Sequence, residues 1–211
     1  MWSRGAQRDG ALTLLELLIV VAALGILATL AAVHYSRSLV ASQVARVESD
    51  LRTLEVGIQS YIADHNRVPR MAHFDFYGDP EFDRIQGEFV RGVLSRSLST
   101  PVAYVTQPHM MDPFMKRNTG APLDERLYTY HDMEAYIEYN PDSSFWPLAR
   151  QFYGRWRLGS VGPSQTYSHG FANSAQLPYD PTNGTQSAGN IWRSERGHDE
   201  FPPVPQLLGE H

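Results

Sequence analysis

The sequence predicts an α+β fold: a long N-terminal helix, with a transmembrane half and an amphipathic soluble half, packed on a small antiparallel C-terminal sheet. Three observations lead there. Residues 17–33 read LLIVVAALGILATLAAV, with Thr29 as the one polar side chain. Beyond them Val40, Val44, Val47, Leu51, Leu54, Ile58 and Tyr61 recur at alternating four- and three-residue spacing. Further on, short runs rich in aromatic and β-branched residues are punctuated by Pro, Gly, Asn and Asp, the pattern of short strands joined by turns.

Taken back to residue 12, the apolar segment gains only Thr13 and Glu16 as polar groups. At about 1.5 Å per residue such a helix spans about 33 Å, enough for a bilayer core of about 30 Å. It has no polar face, unlike a helix on the surface of a soluble domain. A cleaved secretory signal has a shorter apolar run, about 7–15 residues. A plain signal anchor explains the length but has no use for Glu16, whose burial in lipid costs about 2.5–3.5 kcal/mol. Either Glu16 escapes to the interface, or it awaits a positive partner such as an amine. Arg4 and Arg8 precede the segment, partly offset by Asp9, and the balance leans to a cytoplasmic N-terminus.

The stripe from Val40 to Tyr61 alternates with Arg46, Glu48, Asp50, Arg52 and Glu55, so one face is apolar and the other wet. It is too short and too mixed for a good coiled-coil seam, and is expected to pack on the chain's own sheet. Asp64-His65-Asn66-Arg67-Val68-Pro69 ends the helix, because proline cannot continue it. Residues 91–98 read as a short helix. Strands are expected at 126–130, 135–139, 151–159 and 189–193, and a loosely ordered tail from Gly197.

Composition narrows the function. The 211 residues include no Cys and carry 18 Lys+Arg against 23 Asp+Glu, a net charge of −5. Disulfides, thiolate catalysis and Cys-ligated metals are excluded. An acidic chain is poorly matched to a phosphate backbone, so no nucleic-acid partner is expected. There is no G-x-S-x-G elbow, phosphate-binding glycine loop or dinucleotide fingerprint, and Lys116 is the sole lysine. No enzyme is expected. His73, Asp75, Asp79 and Asp83 are of metal-binding types, but their spacing fits neither an EF-hand nor a zinc helix, and a solvated loop is the plainer reading. His109 and Asp112 read the same way. Asp180, Asn183, Thr185 and Ser187 place oxygen donors around a tight turn, which calcium accepts. Asn183-Gly184 is equally the signal of a turn joining two strands. Calcium is thus the one candidate cofactor.

Gly10-Ala11-Leu12-Thr13-Leu14-Leu15-Glu16-Leu17-Leu18 resembles the prepilin signal of type IV pilins and type II secretion pseudopilins. Leu54, Tyr61, Asp64 and Pro69 resemble the spaced pattern in the soluble half of the pseudopilin helix. Thr100-Pro101-Val102-Ala103-Tyr104 with Asp112-Pro113-Phe114 resembles the loop leading to their sheet, and residues 178–185 resemble a C-terminal pilin segment. Ala11 stands where the family has glycine, and Leu12 where it has phenylalanine.

The resemblance implies a leader over residues 1–11 and a transmembrane helix over 12–34. An amphipathic continuation would follow over 35–69, then a loop-rich α+β domain over 70–196 and a tail over 197–211. It implies cleavage between Ala11 and Leu12 by prepilin peptidase, with methylation of the Leu12 amine. A cut after Gly10 would move Glu16 out of register. It further implies assembly through Glu16 and Thr13 with other pilin-like subunits, on an inner-membrane platform, into a secretion pseudopilus or a pilus-like filament. Calcium in the C-terminal loop also belongs to that family picture. The expected location is the bacterial inner membrane, single pass, N-terminus cytoplasmic and C-terminal domain periplasmic. A different reading is a membrane-anchored periplasmic binding domain whose aromatic residues over 74–89 form its surface.

Overall fold

A computed structural model describes residues 13–71, 92–115, 126–139, 141–165, 178–182, 187 and 189–197. The first element is one continuous helix, α1, Leu14–His65. The chain divides into two units, one ending at Leu39 and the other starting at Val40.

In the first unit, every side chain from Thr13 to Leu39 is exposed, although most are leucine, isoleucine, valine or alanine. Its most apolar 18-residue window has a mean hydropathy of 2.6 and buries nothing against the rest of the chain. A segment this apolar, left wholly uncovered, is built for a non-aqueous surrounding.

In the second unit, α1 buries Val44, Val47, Leu51, Leu54, Gly57, Ile58 and Tyr61, the stripe that the spacing predicts. Gly57 has no side chain because a Cβ there would sit 2.3 Å from Cγ1 of Val105. The helix stops at His65, where Asn66 turns left-handed (φ 52°) and donates its N–H to Ile62 O at 2.8 Å. Asparagine tolerates that conformation better than most residues, so the stop precedes Pro69. Tyr61 and His65 stack at 4.1 Å between ring centres, and Tyr104 donates its hydroxyl to Asp64 Oδ2 at 2.7 Å. That bond pushes the Tyr104 hydroxyl up to about 12.

The sheet has three antiparallel strands in sequence order: β1, Thr129–Asp132; β2, Trp156–Ser160; and β3, Ile191–Ser194. Thr129 faces Gly159 and Asp132 faces Trp156; Arg157 faces Ser194 and Ser160 faces Ile191. All five residues of β2 are buried, so both faces of the central strand are covered. Trp156 and Leu158 join Ile191, Tyr130 and the α1 stripe in one core. Two more ties connect α1 to distant parts of the chain: Tyr128 donates to Asp50 Oδ2 at 2.9 Å, and Arg193 pairs with Glu55.

Three expectations need correction. Residues 135–139 are not a strand: they belong to α2, Met133–Tyr139. Their alternation of apolar and polar residues resembles a strand, but Asp132 Oδ1 accepts the N–H groups of Glu134 and Ala135, both at 3.0 Å, and starts a helix. Residues 151–153 likewise end a helix, α3, Phe145–Tyr153, and the strand begins only at Trp156. Pro147 sits in the first turn of α3, where its missing N–H costs no hydrogen bond. Finally, the helix expected over 91–98 is reduced to a 3₁₀ turn, Arg96–Leu98, with Ser95 at its N-cap.

Candidate functional site

At the start of α1 the sequence Thr13-Leu14-Leu15-Glu16 closes a reciprocal cap. Glu16 Oε2 accepts the Thr13 N–H at 2.8 Å and the Thr13 hydroxyl at 2.9 Å, while the Glu16 N–H donates to Thr13 Oγ1 at 3.2 Å. This is the capping-box arrangement, with threonine at the cap and glutamate three residues on. Two residues singled out for assembly are therefore in direct contact. In lipid, where no water is at hand, such local donors reduce the cost of an isolated carboxylate. Gly10, Ala11 and Leu12, the candidate processing residues, lie outside the described residues.

The C-terminal loop is only partly described. Asp180 Oδ1 accepts from Thr182 N at 2.8 Å and Thr182 Oγ1 at 2.6 Å, which is the turn geometry of an Asx residue. Ser187 Oγ accepts from Asp180 N at 2.9 Å and Gly189 N at 3.3 Å. These oxygens hold the loop together, and they do not by themselves make a calcium site. Asn183 and Thr185, the other two candidate ligands, lie outside the described residues. Among the described residues no three His, Cys, Asp or Glu side chains converge as metal ligands would. His73, Asp75, Asp79 and Asp83 also fall outside them.

The remaining polar candidates hold structure. His109 Nε2 lies 2.8 Å from Leu94 O. Asp112 is fully buried; its Oδ1 accepts from Phe114 N at 2.9 Å, and its Oδ2 from Ser160 Oγ at 2.7 Å and Val161 N at 2.9 Å. It fastens the loop before residue 115 to the end of β2.

Burial makes Asp132, the cap of α2, a weaker acid. Burial raises it to about 6, and Glu134 adds to the rise; the N–H groups of Ala135 and Glu134, and Arg70, act in the opposite sense. Between about pH 4 and 6 the folded chain thus holds a proton that the unfolded chain has released. Stability from this group is present at the acid end of that window and is lost as pH rises through it. Two units correspond to about 3 kcal/mol as an upper figure. Glu195 acts the other way. Burial raises it, but the hydrogen bonds and charge of Arg155 outweigh burial and hold it below its usual range. The measurement is therefore a difference: unfolding free energy against pH for wild type and Asp132→Asn. The variant is expected to lose the decline between pH 4 and 6; an identical profile in both would contradict this.

The sequence reading did not single out Arg150, Arg155, Glu195 or Arg196. These four come together where α3 ends and β3 leaves the sheet, from positions about 45 residues apart. Only the hairpin-like return of β3 along β2 brings them close, and no local pattern signals that.

No protein-family model matches the chain, and no solved structure is similar to it. Among curated proteins, the chain is similar to the type IV major fimbrial protein FimA of Dichelobacter nodosus, 33% identical over 94 residues. The match covers 44% of this chain and 58% of that protein, so the chain spans a little over half of its relative's length. Together with a helix apolar and long enough to cross a membrane, lying on a three-stranded antiparallel sheet, this similarity supports a type IV pilin-like family for the chain.

Proposed function

We propose that the protein is a structural pilin-like subunit, not an enzyme, that assembles through its N-terminal helix into a type IV pilus-like filament or a type II secretion pseudopilus. The observation that carries this reading is the uncovered apolar stretch of α1 before Val40, which runs without a break into the helix at the centre of the folded core. Such a segment needs either lipid or the same segment of other subunits around it, and a filament supplies the second after the bilayer has supplied the first. The similarity to a fimbrial protein supports the same reading.

In this scheme residues 1–11 are a leader that prepilin peptidase removes between Ala11 and Leu12, Gly10 lying just before the cut. The Leu12 amine is then methylated. The subunit sits in the inner membrane with its N-terminus cytoplasmic, its domain from residue 70 periplasmic, and an inner-membrane platform as its partner in assembly. Glu16 pairs with the N-terminal amine of a neighbouring subunit, which relieves two charges that are each costly alone in lipid.

The mass of the native protein tests processing: loss of eleven residues and gain of one methyl is expected. Glu16→Ala tests assembly. The variant is expected to enter the membrane at wild-type level and to lose most of its filament yield. A native chain that still begins at Met1, or unchanged filaments from the variant, would overturn the proposal.

A further inference from the structure

A cavity of about 770 Å³ opens beside the C-terminus of α3. Its walls include three guanidinium groups, Arg150, Arg155 and Arg196, and one carboxylate, Glu195, with Ile137 and Pro147 as apolar surface. The volume is that of a small-molecule site, and so is the combination of apolar wall and a few charged groups. This local excess of positive charge sits in a chain whose net charge is −5.

The charges are not equivalent. Glu195 is hydrogen-bonded to Arg155: Oε1 accepts from Nε at 2.9 Å and Nη2 at 2.6 Å, and Oε2 accepts from the Arg155 N–H at 2.6 Å; the charge of Arg196 also acts on it. Arg150 donates Nη2 to Glu134 Oε1 at 3.0 Å, a pair exposed on both sides, and such pairs contribute little and exchange readily. Arg196 donates Nη1 to Gln151 O, and its backbone N–H to Tyr153 O at 3.2 Å, which caps the end of α3. A guanidinium has five donors in a planar fork. Against Glu134 and Glu195, the guanidinium groups of Arg150, Arg155 and Arg196 still leave one positive charge in excess, and the side chains of Arg150 and Arg196 each commit one of their five donors to a neighbour among the described residues.

We propose that this cavity binds an organic anion of about monosaccharide size. A carboxylate or phosphate group would be held by Arg150 and Arg196, with the ligand's apolar side against Ile137 and Pro147. Planar, bidentate recognition of such oxyanions is what the guanidinium fork does best. This inference stands apart from the filament reading, since it concerns only the domain that follows Val40.

The test is calorimetric titration of the full chain in a neutral detergent at low salt. The probes are glucuronate for the carboxylate, glucose 6-phosphate for the phosphate, and glucose as the uncharged control. At least one anion is expected to bind saturably and glucose not at all; the tighter anion identifies the group the site prefers. Arg150→Gln and Arg196→Gln are each expected to weaken binding about tenfold, as loss of a charge-assisted contact does, while Arg46→Gln, outside the cavity, is expected to leave it unchanged. If Arg196→Gln disturbs the fold by uncapping α3, Arg150→Gln decides alone. Anions that bind no better than glucose, or binding indifferent to Arg150, would overturn the proposal.

Discussion

Replacing Asp112 with alanine is expected to destabilise the folded domain by about 3–5 kcal/mol, a large share of the stability of an ordinary domain. The carboxylate is fully buried and accepts from two backbone N–H groups and one hydroxyl, which come from its own loop and from the end of β2. Alanine leaves all three donors without a partner in a place water does not reach. Each such orphan costs about 1–3 kcal/mol, and costs within one network are less than additive. Asparagine does not repair the site. Phe114 N binds one carboxylate oxygen and Val161 N the other, so either orientation of the amide sets an NH₂ against a backbone N–H. Asp112→Asn is therefore expected to lose stability as well, though less than alanine. Chemical unfolding of the full chain in neutral detergent, followed by tryptophan fluorescence, checks both; a loss under about 1 kcal/mol for alanine would show that the network is dispensable.

The second large effect is expected at Gly159. It lies opposite Trp192 in the β2–β3 register, and a Cβ there would fall 2.2 Å from the indole ring. Trp192 cannot yield without loss, because the Arg157 guanidinium lies over its ring at 3.8 Å and over the Tyr153 ring at 4.0 Å. Those two rings keep a fully buried arginine in aromatic surroundings that favour its charge. Gly159→Ala is expected to cost about 1–3 kcal/mol by overpacking and to change the fluorescence of the native state. In a Trp192→Ala background the same substitution should cost far less, since the atoms it strikes are gone. Equal costs in the two backgrounds would refute the clash, by the logic of a double-mutant cycle.

Local pattern explains why some of this was legible beforehand. The core stripe of α1 follows a helical period, so each of Val44, Val47, Leu51, Leu54, Ile58 and Tyr61 could be placed on one face and is buried. The pairing of Thr13 with Glu16 is a motif of four consecutive residues; the resemblance to a prepilin signal implies assembly for it, and the structure adds a helix cap. By contrast, residues 135–139 read as a strand, because Ala135, Ile137 and Tyr139 alternate with polar or larger residues. One buried carboxylate at Asp132 decides the matter, and its burial depends on distant packing. The arginine cavity was invisible for a related reason. Arg155 and Glu195 are 40 residues apart, and the separation of two charges in sequence says nothing of their distance once a sheet has formed.

The link between Arg193 and Glu55 joins residues 138 positions apart. A ribosome adding about 5–20 residues each second takes roughly seven to twenty-eight seconds to travel from one to the other. Through that interval the greasy seam of the newborn helix has no complete sheet to lie on, because the last strand has not been made. A chain that ends before residue 191 lacks the whole of β3, and with it the Ile191 part of the core and the Arg193–Glu55 link.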